Sequence, residues 1–459
     1  MQFHELVRSV LKEINLDEVV TIQPQHCESY ADLLEIYRQD MSVTKSFEDC
    51  MSICAAVHLA VPLEGEPLWF YLVGRPSGGK STLCDLLMSD EIHSFHLSKF
   101  TGLVSGNRQG KPIIPLMQGK CVIIPDGTLL FESTPIQLAN VYGELRGIFD
   151  GNLNVEYRNG VSASFSNISF GMIIGITERI YALTQSALGE RFLHCRLDTS
   201  RDTEVQRNMN AIDSIFNDIG LTNFEGNEAG DMRSFPKQRA YTAGFLSRLH
   251  AKIRSGEIVR PRYTTEDKML IQAIADMVAC SRAQAPRGKE NNVSEVLYDS
   301  KPEGTTRVAK LLSILAVCLC YVHGVSEITP LIRSLLVKVG LDTAASAYKQ
   351  YAIIRAVSLS DGLTKTAIAN LTGITIETVS RRVEDLISLG ILLPDIEKDR
   401  AVRGRAVPTL MCTQWIRQAF RLVEKHVQVP NSQDHKAAAT VNSAGVARNA
   451  VPISTKRQN

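Results

Sequence analysis

The sequence predicts an α/β domain built on a parallel sheet, set between helical segments and followed by a small C-terminal domain. Three observations carry this. The run Leu-Trp-Phe-Tyr-Leu-Val at 68–73 is apolar, ends in a glycine-rich turn and leads into a helical pattern from Lys80 to Met88. Two further apolar runs, at 121–125 and 168–177, have the length and composition of buried strands. Between them, residues 135–149 carry apolar side chains at helical spacing. Strands alternating with helices are the pattern of a parallel sheet.

The bulk properties narrow the function classes. At 459 residues the chain has room for about three domains. Hydrophobic residues are 44% and charged residues 22%, which excludes a wholly disordered chain, a collagen-like chain and a disulfide scaffold. Lys+Arg number 50 against 49 Asp+Glu, so any affinity for nucleic acid or membrane must be local. The ten cysteines include no paired Cys-x-x-Cys units and mostly lie in apolar runs, as reduced core thiols do. Cys50 and Cys54 share a helix face but have no second ligand pair. The N-terminus is charged throughout, and the longest apolar run, Leu311 to Val322, is shorter than the roughly 20 residues a membrane span needs. A cytoplasmic location is expected.

The chain divides into a helical region at 1–65, the α/β core at 66–200, a helical region at 201–345, a small domain at 346–428 and a polar tail at 429–459 expected to be disordered. Loops are expected near 225–235 and 284–306. Asn159-Gly160 stands between two β-type runs in 154–165, which predicts a hairpin, because both central residues of its turn need positive φ.

Gly74-Arg-Pro76-Ser77-Gly78-Gly79-Lys80-Ser81 fits G-x-x-x-x-G-K-[ST] between a strand and a helix. Glycines let backbone N–H groups close around phosphate oxygens, and the helix N-terminus adds positive potential. Lys80 is expected on the β/γ-phosphates of ATP, Ser81 on Mg²⁺ and Thr82 beside it in the first helical turn. The second metal-organising carboxylate is expected at the end of a neighbouring strand, and Asp126 stands there after Cys121-Val-Ile-Ile-Pro. The next residue is Gly127, where many such ATPases carry the glutamate that orients the attacking water. Glu132, Glu144 and Glu178 are the alternatives for that task.

In this order the motifs resemble the AAA+ ATPases over about residues 66–345. The resemblance implies a sensor-1 role for Thr177, at the end of the 168–177 strand, and an arginine finger in Arg191 or Arg196 of Gly-Glu-Arg-Phe-Leu-His-Cys-Arg, reaching the neighbouring subunit's nucleotide. That segment is similar to MCM-type helicases and enhancer-binding activators. The hairpin resembles the pre-sensor-1 hairpin of one AAA+ branch, with Arg158 near its tip as a DNA contact. Arg307 resembles a sensor-2 arginine opening a lid helix, which makes 201–345 the lid. The whole pattern is also similar to ATPases of phages and mobile elements. The resemblance implies a ring or filament, in the family usually a hexamer, with ATP and Mg²⁺ at subunit interfaces.

Residues 363–392 resemble a winged helix-turn-helix. Ile368 and Leu371 are the apolar positions of its first helix, Gly373 permits the turn, and Thr375 stands at the cap of a second helix with Val379, Val383, Leu386 and Ile387 inward. Thr378, Arg381 and Arg382 then face outward toward DNA, and Arg400, Arg403 and Arg405 fall in the wing. The function expected is ATP hydrolysis that remodels or moves DNA, with an ATP-dependent assembly switch or DNA-binding regulator as the alternative. A protein partner could engage residues 1–65 or the tail.

Overall fold

The computed structural model describes residues 23–97, 113–128, 135–156, 162–182, 191–198, 205, 209, 235–290, 293–360, 362–402 and 405–427. Five parallel strands form the central sheet: β1 (Trp69–Val73), β2 (Ser94–His96), β3 (Cys121–Ile124), β6 (Gly171–Ile176) and β7 (Phe192–Arg196), in the order β2-β3-β6-β1-β7. Between β3 and β6, an antiparallel pair, β4 (Asn152–Glu156) and β5 (Ser162–Ser166), stands apart from the sheet. This is the expected hairpin. Its connection, with Arg158, Asn159 and Gly160, lies outside the described residues.

The β1 and β6 residues are buried along their whole length, which requires helices on both faces of the sheet. Alternate strand residues point to opposite faces. On one face Trp69 packs edge-on to Phe149 of helix α5 (Pro135–Phe149), stacks on Phe170 and touches Phe192. On the other, the Cys195 thiol lies 3.2 Å from that of Cys50, on α2 (Lys45–Ala60). Helix α2 follows α1 (Tyr30–Asp40), and both are started by side-chain caps, Thr44 for α2 and a Ser29/Asp32 capping box for α1. Every α2 residue from Cys50 to Ala60 is buried. The helical N-terminal region is therefore continuous with the sheet's core at 45–60. All ten cysteines are buried free thiols, and among the described residues Cys50 and Cys54 belong to no metal-binding set.

Helix α3 (Lys80–Met88) leaves β1, a one-turn α4 (Ile114–Met117) precedes β3, and four longer helices follow the sheet: α6 (Pro236–Ser255), α7 (Thr265–Arg282), α8 (Thr306–His323) and α9 (Pro330–Ala344). Helix α6 packs on α1, α2 and α3, and α9 packs on β7. Among the described residues α8 alone is long and apolar enough to cross a membrane; here it packs on α2, α7 and α9 as a core helix. Residues 284–306, expected as loop, contain a short antiparallel pair, β8 (Arg287–Glu290) and β9 (Val293–Val296). Its sequence, Arg-Gly-Lys-Glu and Val-Ser-Glu-Val, is too polar to register as strand.

The C-terminal segment holds α10 (Tyr348–Ser358), α11 (Lys365–Thr372), α12 (Ile376–Ser388), a β-hairpin of β10 (Leu392–Val402) and β11 (Arg405–Cys412), and α13 (Gln414–Val427). A tight turn through Gly373, at φ 68°, joins α11 to α12. Val379, Val383 and Leu386 are buried as expected. Ile387, expected inward with them, is exposed, as is Leu371 of the first helix. Thr375 is at the helix cap, but its hydroxyl bonds Thr378 Oγ1 at 3.0 Å and not the backbone. The segment is joined to the helical layer through α13, which packs along α7, α9 and α10.

Candidate functional site

All five sheet strands run the same way, so their carboxyl ends share one edge, the usual place for a ligand in an open α/β sheet. The loop Gly74–Gly79 leaves β1 at this edge. Gly74 N–H donates to Ile176 O at 3.0 Å, and a Cβ on Gly74 would lie 3.1 Å from Leu197 O. The loop then turns through left-handed backbone at Ser77 (φ 58°) and Gly79 (φ 92°), the latter serving as the cap of α3. No side chain caps α3, so its first N–H groups have no side-chain acceptor. Pro76, Ser77 and Ser81 are exposed, Thr82 is half-buried and Gly78 is buried.

Lys80 is the first residue of α3 and is 8% exposed. Its Nζ donates to Gly74 O at 2.8 Å and Arg75 O at 2.6 Å, so the ammonium is folded into the loop itself. Burial pushes its pKa down, while the carboxylates of Asp126 and Glu178 pull the other way. Asp126 lies two residues beyond β3 and is exposed. Its Oδ1 accepts from Thr128 N at 2.9 Å, and that hydrogen bonding, with Lys80 as a smaller cause, holds its carboxyl below the usual range.

Strand β6 lies between β1 and β3, so Thr177, one residue past its end, falls between the Lys80 loop and Asp126. Thr177 Oγ1 is buried and has no hydrogen-bond partner. A buried hydroxyl without a partner is costly, about 1–3 kcal/mol, and a ligand oxygen in this gap would satisfy it. The edge thus combines a helix N-terminus without a side-chain cap, an ammonium, a carboxylate and an unsatisfied hydroxyl. That set suits a phosphate group with a divalent cation.

Gly127 is fixed by packing. Its N–H donates to Gly175 O at 2.7 Å, and a Cβ at 127 would stand 2.4 Å from Ile174 Cγ2. A second contact beside it is as close, since a Cβ on Gly175 would stand 2.3 Å from Pro125 O. No glutamate fits at 127 with this backbone. Of the three alternatives, Glu178 is at this edge, ion-paired to Arg196 at 2.8 Å. Glu144 lies on α5, and Glu132 lies outside the described residues.

The two candidate finger arginines stand at opposite ends of β7. Arg196 pairs in register with Val73 at the loop edge, held by Glu178 and by Asp198 at 2.8 Å. Arg191 precedes Phe192, whose partner is Trp69, at the amino edge. Five residues of strand separate the two by about 16 Å. Arg191 is buried, donates to both Asp150 oxygens at 2.9 and 3.1 Å, and lies over the Phe149 ring at 5.4 Å. Arg307 comes to the same ring from α8, at 5.9 Å, with Glu303 at 3.5 Å. The structure therefore brings Arg191 and Arg307 together over Phe149, away from the chain's own glycine loop.

In the C-terminal segment Arg381 is exposed on α12, and Thr378 is half-buried beside it. Arg382 was expected to face outward with them. It is half-buried and turned along the helix to Asp385 at 3.3 Å, an acid that also holds Arg287 of β8 at 2.6 Å. Arg400 and Arg405 lie on the two hairpin strands, and Arg403 falls outside the described residues.

No protein-family model and no curated protein matches this chain in sequence.

Proposed function

We propose that this chain is a P-loop ATP hydrolase of AAA+ type that works on DNA as a homo-oligomer in the cytoplasm. The observation that supports it best is the desolvated Lys80 ammonium in the glycine loop, at the same sheet edge as Asp126 and the unpartnered Thr177 hydroxyl. Lys80 and the loop N–H groups would hold the phosphates of ATP, Ser81 and Asp126 would hold Mg²⁺, and Thr177 would bond the γ-phosphate side. A cation held there would supply charge neutralisation at the phosphate. Glu178 is the carboxylate of this edge best placed to orient water, provided that Arg196 releases it.

Arg191 and Arg307 lie at the edge opposite the loop, so any contact they make with nucleotide is with that of a second copy. This supports a ring or filament in which each nucleotide is completed by its neighbour. The α11–turn–α12 pair followed by the β10–β11 hairpin supports the winged-helix reading, in which the exposed Arg381 would meet DNA phosphate.

Gly127 favours a second reading, in which nucleotide chiefly gates assembly and hydrolysis is slow, because the usual glutamate has no room. ATP hydrolysis measured with and without single- and double-stranded DNA separates the two. Strong DNA stimulation, lost in Asp126→Ala, supports the motor. ATP binding with negligible turnover in every condition supports the switch. No ATP binding at all contradicts both.

A further inference from the structure

A second cluster of chemistry-bearing side chains lies apart from the glycine-loop edge. His58 on α2, Asp90 in the turn after α3 and His250 on α6 are all buried, and one ligand atom from each lies within 4.8 Å of the others. His58 Nδ1 and His250 Nε2 face each other at 2.9 Å. We propose that these three residues hold a zinc ion that ties α2, the exit of α3 and α6 together.

The surroundings aim the lone pairs inward. His58 Nε2 lies 3.3 Å from Ser94 Oγ, whose own hydrogen is directed to backbone carbonyls, Asp90 O and Leu87 O. Ser94 therefore accepts from His58 Nε2–H, and the Nδ1 lone pair of His58 points at His250. Asp90 is oriented by His93 Nδ1 at 2.8 Å and by Ser247 Oγ at 3.2 Å. The His93 ring also stacks on His250, 3.9 Å between centroids and nearly parallel. Outer partners of this kind, a hydroxyl on one imidazole and a histidine on the carboxylate, are the usual support of ligating groups.

The buried carboxylate points to a ligand. The Asp90 side chain is 1% exposed, and the groups that meet it are the His93 imidazole at 2.8 Å and the Ser247 hydroxyl at 3.2 Å. Buried carboxylates are normally matched by a cation or a metal.

Two imidazoles and a carboxylate are a zinc donor set. At Zn–N distances of 2.0–2.1 Å, tetrahedral geometry sets the two nitrogens about 3.3 Å apart, an opening of about 0.4 Å from the present contact. The fourth position is left to Ser247 Oγ or a water. The site would clamp the far end of α3, the helix that begins with Lys80.

The full-length protein, purified from zinc-supplemented cells and dialysed into metal-free buffer, should carry about one zinc per chain by elemental analysis. His58→Gln with His250→Gln should carry essentially none. Cobalt exchanged into the wild-type chain should show the visible bands of a tetrahedral site, and these should vanish in Asp90→Asn. If the variants do not fold, the wild-type zinc content and cobalt spectrum decide alone. Less than about 0.1 zinc per chain, with no cobalt bands, would mean that the cluster is a hydrogen-bonded network and would overturn the proposal.

Discussion

Gly127 packs so closely on Ile174 that a Cβ at position 127 would come within 2.4 Å of the isoleucine Cγ2. The contact locks the turn after β3, and with it Asp126, against β6, the strand that delivers Thr177. Gly127→Ala should therefore destabilise the protein by about 1–3 kcal/mol, read as a lower urea midpoint. Ile174→Ala has its own cavity cost, but combined with Gly127→Ala it should recover part of the first loss. Strict additivity in that double-mutant cycle would disprove the contact's role.

Arg191 should act across a subunit boundary. Arg191→Ala and Lys80→Ala should each lose most ATP turnover, and mixed assemblies of the two should regain part of it. A mixed interface can pair an intact loop from one chain with an intact arginine from the other. Asp150→Asn, which loosens the 2.9 Å ion pair while keeping the arginine, is the control for damage to the fold. Mixtures with no recovery at any ratio would count against the contact in trans.

Acid should destabilise the join between α8 and α2. His323 Nε2 lies 2.7 Å from Ser52 Oγ, and burial pushes its pKa down to about 4, with Lys45 adding to the fall and Asp49 opposing it. Its folded pKa is below the unfolded value of about 6.5, so between those pH values the unfolded chain binds a proton that the native chain does not. This contribution is whole above about pH 6.5 and is lost as pH falls toward 4, up to about 3 kcal/mol in all. Urea midpoints from pH 7.5 to 4.5 should fall less steeply for His323→Gln. Identical slopes would remove His323 as a cause.

DNA affinity should depend more on Arg381 than on Arg382. Arg381 is exposed, whereas Arg382 is turned to Asp385. Arg381→Ala should lower the salt dependence of duplex binding by about one phosphate contact, and Arg382→Ala by clearly less. Fluorescence anisotropy across salt concentrations measures this. Equal effects of the two changes, or no effect of either, would contradict the assignment of the open face.

The sequence read most clearly where local backbone geometry demands particular residue types. The glycine loop, its helix and Asp126 occur within short segments whose residue types determine the backbone, and the 152–166 hairpin followed from one Asn-Gly pair. What it concealed depends on packing at a distance. Residues 50–60 look like any apolar helix, and nothing local says that they line the sheet. Arg191 and Arg196 are neighbours on paper, yet a strand carries its two ends to opposite edges. His58 and His250 are 192 positions apart, and only the placement of α6 beside α2 brings them together. The polar β8–β9 pair had no apolar alternation to reveal it.

The loop led by Gly74 should bind and hydrolyse ATP through Lys80. ATP turnover of the wild-type chain and of Lys80→Ala, measured beside their urea midpoints, tests it most directly. Lys80→Ala should lower turnover or nucleotide affinity by about 100-fold or more with the fold retained, since removing one preorganised donor at a reacting centre typically costs about 2.7–4 kcal/mol. A folded Lys80→Ala protein that hydrolyses ATP at the wild-type rate would contradict it.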